Sequence, residues 1–190
     1  GVSRVLVLAP PRQKALVADI QQMTGERFAG VFDGAVMHTP VEVTERAMET
    51  VRDVRADCVI AVGGGSTTGL GKAIALRTDL PQVVLPTTYA GSEMTDVVGQ
   101  TEKGIKATQS SPKIQPEVVI YDPALTVSLP VSVSVASGFN AMAHAVEGLY
   151  AREANPLLSL ASGEGVRAMA AHLPGTAARP VGRSGGKRTP

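Results

Sequence analysis

Tryptophan is absent from this 190-residue chain, and tyrosine and phenylalanine number three each. So few rings leave little platform on which the bases of a single-stranded nucleic acid could stack. A lone cysteine, Cys58, rules out an internal disulfide and any zinc or iron–sulfur site built from cysteine alone. No stretch approaches the ~18 consecutive apolar residues that a membrane-crossing helix needs, so no membrane role is expected. The opening GVSRVLVLAPPRQ lacks a basic segment leading to a small-residue cleavage site, so secretion is not expected either. The expectation is a soluble, cytoplasmic chain. Acid is missing from one end only. The last 17 residues carry four basic residues and no acid, whereas the first 173 carry 14 Lys and Arg against 17 Asp and Glu. With the body acidic, a nucleic-acid role for that basic end is not the favoured reading.

What is present is an alternation. Apolar runs at 4–8, 28–32, 58–62 and 82–85 read as strands buried on both faces, separated by helical stretches at 13–23, at 41–54 and from the Gly63-Gly64-Gly65-Ser66 run through Leu76. In the second helix Ala47, Met48, Val51 and Val54 recur at three- and four-residue steps, with charged residues between them. Strands and helices alternating at this spacing predict a doubly wound α/β domain around a parallel sheet. Residues 87–117, rich in Thr, Ser, Gly and Lys, read as irregular loop with a hairpin around Lys103-Gly104, and 118–121 as one more strand. From about Pro130 the pattern turns helical, through Tyr150 and again from Pro156 to Leu173. The expected division is an α/β domain at 1–128, the first helices of an all-helical domain at 129–173, and a disordered basic tail at 174–190. Two helices alone leave an apolar face in need of a partner, so exposed apolar surface and association are expected.

Three places could carry chemistry. Strand, then Gly63-Gly64-Gly65-Ser66-Thr67-Thr68, then helix is the arrangement in which helix N-terminal amides face a phosphate. It fits neither the Gly-x-Gly-x-x-Gly spacing nor a P-loop, because Ser66 stands at the first P-loop glycine and Ala73 at its Ser/Thr. The same residues also read as a tight turn before a capped helix. The loop Pro86-Thr87-Thr88-Tyr89-Ala90-Gly91-Ser92-Glu93 follows the C-terminal end of a strand, where ligands of open parallel sheets bind, or is an ordinary polar loop. Asn140 and His144 share one face of a predicted helix. An acid with a histidine at that spacing would be half a metal site, but an uncharged amide is a poor ligand, and His144 alone reads as a packed or solvated side chain. Cys58, at the start of a buried strand, reads as a core residue.

Taken together, GGGSTTGLGKAIAL at 63–76, PTTYAGSEMT at 86–95, VIYDPALT at 119–126 and SGFNAMAHAVEGLYA at 137–151 resemble the iron-containing alcohol dehydrogenase superfamily, most closely its maleylacetate reductase branch. FDGAVMHTPVE at 32–42 is similar to the reductases as well. The resemblance implies a dehydroquinate synthase-like fold, with a nicotinamide cofactor, NADH or NADPH, bound across the α/β domain. Gly64, Gly65 and Ser66 match the motif whose amides contact the cofactor diphosphate. Thr87 and Thr88 match residues near its adenosine and diphosphate side, and Lys106 matches a lysine near the cofactor. His144 matches a metal-ligand histidine, while Asn140 replaces the usual Asp and so removes an anionic ligand. Gly69 also replaces an Asp of many relatives. Pro10 stands where NAD-preferring members carry an acid that repels a 2′-phosphate, so use of both cofactors is expected.

The activity implied is reduction of maleylacetate, a dicarboxylate, to 3-oxoadipate in bacterial aromatic degradation, by a homodimer when the protein is intact. The branch pattern is left near Leu173, and the start at Gly1 falls after the family's first strand or two. A partial or frameshifted product is therefore expected. A metal-dependent alcohol dehydrogenase of the same superfamily and a non-catalytic nucleotide-binding fragment are the alternatives.

Overall fold

In a computed structural model, residues 1–178 of the chain are described. They fall into two compact units, Gly1–Val127 and a second that begins at Ser128. The first unit is built in the order β1 (Val5–Leu8), α1 (Lys14–Thr24), β2 (Phe28–Phe32), α2 (Val41–Asp53), β3 (Cys58–Gly63), α3 (Gly65–Thr78) and β4 (Gln82–Pro86). A hairpin, β5 (Val97–Glu102) with β6 (Ile105–Ser110), precedes the short β7 (Val118–Val119). The strands β2-β1-β3-β4-β7 form one parallel sheet in that spatial order.

The order reverses direction at β1. The chain winds outward from β1 to β2, then crosses back over β1 to β3 and continues to β4. Right-handed crossovers place helices on opposite faces when the winding direction reverses. The cores agree. Ile20, Leu16 and Val17 of α1 pack with Val5, Val7, Cys58 and Val62 on one face. On the other face, Val43, Ala47, Met48 and Val51 of α2 join Leu70 and Ile74 of α3 over Leu6, Leu8, Val59, Ala61 and Val84. Strands buried this way on both faces need no polar alternation, which is why 5–8 and 58–62 read as unbroken apolar runs.

The hairpin expected within 87–117 is present: six residues of β5 pair with six of β6 around Lys103 and Gly104, which have positive φ of 48° and 80°. Val98 and Ile114 bury against Ala73 of α3, which gives this polar segment its anchor. The expectation for the tail needs correction. Helix α5 (Pro156–Ala177) runs through Pro174 to Ala177, so the first four residues of the 174–190 segment are helical. Residues 179–190 lie outside the described ones.

The second unit pairs α4 (Val131–Tyr150) with α5. Gly138 and Leu173 are both buried where the two helices meet, and a Cβ on Gly138 would lie 3.1 Å from Leu173 Cδ1 and 3.2 Å from its Cγ, with Cδ2 nearer still. Gly138→Leu is therefore expected to pry the pair apart and to cost about 2–3 kcal/mol. A denaturation midpoint unchanged by that substitution would show the contact to be loose. Phe139, Leu149, Tyr150, Leu157 and Leu160 on these helices are exposed. Among the described residues no helix is long and apolar enough to cross a membrane.

Candidate functional site

Open parallel sheets bind ligands at the carboxyl ends of their strands, beside the point where strand order reverses. Here that point lies between β1 and β3, and their carboxyl ends carry Pro10 and the glycine run. A Cβ on Gly63 would approach Pro10 Cδ to 3.4 Å, so the two loops are in contact. Helix α3 starts directly after, with Gly64 as its N-cap in an extended conformation and with no side-chain cap. The Gly64 carbonyl accepts from the N–H of Thr67 at 3.0 Å and of Thr68 at 3.1 Å. The N–H groups of Gly65 and Ser66 precede these first helical bonds, as at any helix start.

The structure brings the second sequence motif to the first. Thr87 N–H donates to the Gly63 carbonyl at 2.9 Å, extending the β3–β4 pairing into the loop. A Cβ on Gly64 would lie 2.8 Å from Thr88 Cγ2 and 3.0 Å from its Oγ1, so only glycine lets the turn sit against Thr88. Gly65 faces Ala90 and Ser92, whose Cβ and Oγ lie 3.7 and 3.9 Å from the corresponding point. Gly64, Gly65, Thr87 and Thr88 thus form one cluster, with Ser66 in the first turn of the helix. Thr87 Oγ1 and Ser92 Oγ are buried and have no hydrogen-bond partner among the described residues. Buried hydroxyls normally find one, so two orphans beside a helix amino end mark a place shaped for a polar group.

Next to this cluster, beyond the ends of β4 and β7, lies a cavity of about 340 Å³ lined by Thr88, Tyr89, Glu93, Tyr121, Asp122 and Thr126 among others. Glu93 is buried and accepts a 2.9 Å hydrogen bond from the Tyr121 hydroxyl. Burial, together with this bond and the negative charge of Glu93, pushes the Tyr121 phenol up to about 12.

Lys72 is only 1% exposed. Its ammonium donates to the Thr95 carbonyl at 2.6 Å, to Thr95 Oγ1 at 2.8 Å and to the Val97 carbonyl at 2.9 Å. Burial pulls its pKa down to about 8, against the opposing attraction of Glu93 and Asp96. The unfolded chain therefore holds this proton up to about 10.5 and the folded chain only to about 8. Between those values the unfolded state binds more protons, so stability rises with pH across the window. The cost of burying the charge is present in full below it and relieved above it. Denaturant midpoints should show wild type gaining on Lys72→Met from about pH 7.5 to about pH 9.5. A flat difference would count against the buried charge as the cause.

The remaining sequence candidates lie apart from this cluster or in the other unit. Lys106 is exposed on β6, and its Cε lies 2.7 Å from where a Cβ on Gly99 would stand, so it packs across the hairpin. No described contact joins it to the glycine turn. Gly69 adjoins Thr39, whose Oγ1 would lie 2.6 Å from a Cβ there, so any side chain at 69 would need Thr39 to move. Asn140 and His144 are exposed on α4, where His144 Nδ1 and Glu147 Oε2 are 3.1 Å apart. Among the described residues no three His, Cys, Asp or Glu side chains group as metal ligands. The donors on α4 do not by themselves fit a metal. Sequence reasoning missed Lys72. The signal was its position inside the apolar stretch Leu70–Ala75, where a charged head must find partners in the interior.

Comparison with known proteins places these motifs in company. The family model for iron-containing alcohol dehydrogenase matches residues 1–123. Maleylacetate reductase of Rhizobium sp. strain MTP-10005 is 59% identical over 180 residues, 95% of this chain and 51% of the relative. The crystal structure of that reductase superposes with a TM-score of 0.86 at 60% identity, covering 92% of this chain and 50% of the other. Sulfoacetaldehyde reductase from Bifidobacterium kashiwanohense, solved in complex with NAD+, superposes with a TM-score of 0.88 at 25% identity, covering 94% and 54%. The chain spans about half the length of the curated relatives it matches.

Proposed function

The chain belongs to the iron-containing alcohol dehydrogenase family, and from that premise we propose that it binds NADH or NADPH at the carboxyl edge of its sheet and takes part in reducing maleylacetate to 3-oxoadipate. One observation carries the cofactor reading: the glycine turn that opens α3 lies against the Thr87–Ser92 loop, with two buried hydroxyls left unpartnered beside it. These residues fit a dinucleotide. The amides of Gly65 and Ser66 are placed to receive a diphosphate, and the hydroxyls of Thr87, Thr88 and Ser92 can donate to its oxygens or to a ribose. The cavity lined by Thr88, Glu93 and Tyr121 offers room on the adenosine side. Pro10 at the end of β1 presents no acid to a 2′-phosphate, which supports use of both cofactors. Lys106 is retained as a further cofactor contact by its match to the family lysine, one that needs its flexible side chain to swing from the hairpin.

When bound, the nicotinamide supplies the hydride for the conjugated alkene of the substrate. The residues of this chain hold the diphosphate, exclude water beneath Thr87, and fix the cofactor's direction along the strand ends. The substrate is a small dicarboxylate, the setting bacterial aromatic catabolism in the cytoplasm, and the assembly of the longer protein a homodimer. Supporting the substrate and reaction are relatives named maleylacetate reductase, at 59% and 52% identity over nine-tenths or more of the chain. Asn140 and His144, an uncharged amide and one imidazole, do not by themselves make a metal-ligand set on this chain.

The test has two readouts. NADH fluorescence should saturate on titrating the protein, and maleylacetate should then drive NADH oxidation in the full-length protein. Saturation without turnover in the full-length protein would leave a nucleotide-binding reading and remove the reductase one. An absence of NADH binding would remove both.

A further inference from the structure

Lys72 is the most deeply buried charge of the first unit, and nothing in the proposed hydride transfer uses it. It stands seven residues after Gly65 on α3, two turns along the helix and on the same face. That face meets the 90–97 segment at two points. At the amino end Gly65 adjoins Ala90 and Ser92, and farther along Lys72 grips Thr95 and Val97. Thr95 joins the two points. Its hydroxyl accepts from Lys72 and donates to the Ser92 carbonyl at 3.0 Å, and its N–H bonds the same carbonyl at 3.3 Å. These bonds close the short 3-10 turn Ser92–Met94. The turn carries Ser92, with its unpartnered buried hydroxyl, and Glu93, which Tyr121 holds from the other side.

A buried ammonium with no carboxylate in contact is an expensive way to tie down a loop. An apolar side chain would fill the space but could not bond three oxygens of Thr95 and Val97, where the turn passes into β5. We propose that Lys72 is a positioning residue, acting through Thr95 to hold the Ser92 hydroxyl at the amino end of α3 for the cofactor's diphosphate. The inference rests on the cofactor reading above and adds Lys72, Thr95 and Ser92 to the residues that serve it.

Ser92→Ala removes the hydroxyl itself and should weaken NADH binding about threefold. Lys72→Met should weaken it about tenfold, since the whole turn is released. In Lys72→Met the further change Ser92→Ala should then cost nothing. That loss of effect separates positioning from general destabilisation, in which the two losses would simply multiply. Thr95→Val keeps both backbone bonds of Lys72 and the Thr95 N–H bond to Ser92 but removes the hydroxyl that joins Lys72 to the Ser92 carbonyl, so it should behave as a milder Lys72→Met. It carries the same test if Lys72→Met does not fold. Wild-type binding with both Lys72→Met and Thr95→Val within about twofold of it would overturn the proposal and leave the cofactor reading standing. Independent, multiplying losses would overturn it as well. A wild-type chain that does not bind NADH would overturn both.

Discussion

Gly64→Val is expected to raise the Kd for NADH about a hundredfold while the sheet stays folded. The extended backbone of Gly64, φ −90° and ψ −163°, suits a β-branched residue, so the chain itself need not object. The objection comes from Thr88. Even a first carbon would sit 2.8 Å from Thr88 Cγ2, and two more methyl groups must displace that side chain into the space beside the helix amides. Because the site is half open, the displaced groups can relax toward solvent in the free protein, which spares the fold. They cannot do so with a diphosphate in place. Gly65→Ala is the matched control, since its Cβ would meet nothing nearer than 3.7 Å and a small effect is expected. Equal losses from the two substitutions would mean that the approach of Thr88 is not what the glycine protects.

One residue earlier the same type of change should act on the fold instead. Gly63→Ala is expected to cost about 3 kcal/mol of stability. Its Cβ would stand 2.8 Å from Thr67 Cβ, closer still to Thr67 Oγ1, and 3.4 Å from Pro10 Cδ. Thr67 is buried in the first turn of α3 and stiff about χ1, and Pro10 is a ring, so neither yields. Urea midpoints would measure the loss. Removing the obstacle, Cβ included, with Thr67→Gly should make Gly63→Ala cost far less in that background than it does alone, a coupling expected only of groups in contact. A double variant as unstable as the sum of its parts would place the strain elsewhere.

The difference between these adjacent glycines was not legible in the sequence, which shows a run of three equal letters. What could be read was the strand before them and the helix after, because Cys58–Gly63 is nearly all apolar and Ser66, Thr67 and Thr68 follow. The hairpin shows the opposite case. Every residue of β6 is exposed, so Ile105–Ser110 has no buried face and no apolar alternation to reveal a strand; only its turn, Lys103-Gly104, was visible. Its partner β5 buries Val98 and Gln100, too few to set a period. Pro174 misled in another way. A proline normally ends a helix, yet α5 continues three residues past it, and the Pro174 carbonyl still accepts from Ala178 N–H at 3.0 Å. The meeting of Gly64 with Thr88 was implied by family likeness, but the unpartnered hydroxyls and the grip of Lys72 exist only in three dimensions.

Cys58 opens β3, the strand at the centre of the five-stranded sheet, where it is paired with Val5 of β1 and only 4% exposed. Burial, reinforced by the negative charges of Asp57 and Glu117, pushes its thiol pKa up, so the reactive thiolate is scarce while the strand is seated. Being the chain's single cysteine, it makes the protein its own clock: the rate at which a thiol reagent labels it counts how often the middle of the sheet opens. At the proposed site a dinucleotide would lie across the end of that same strand, so saturating NADH should slow the clock, and no probe need be introduced to read it.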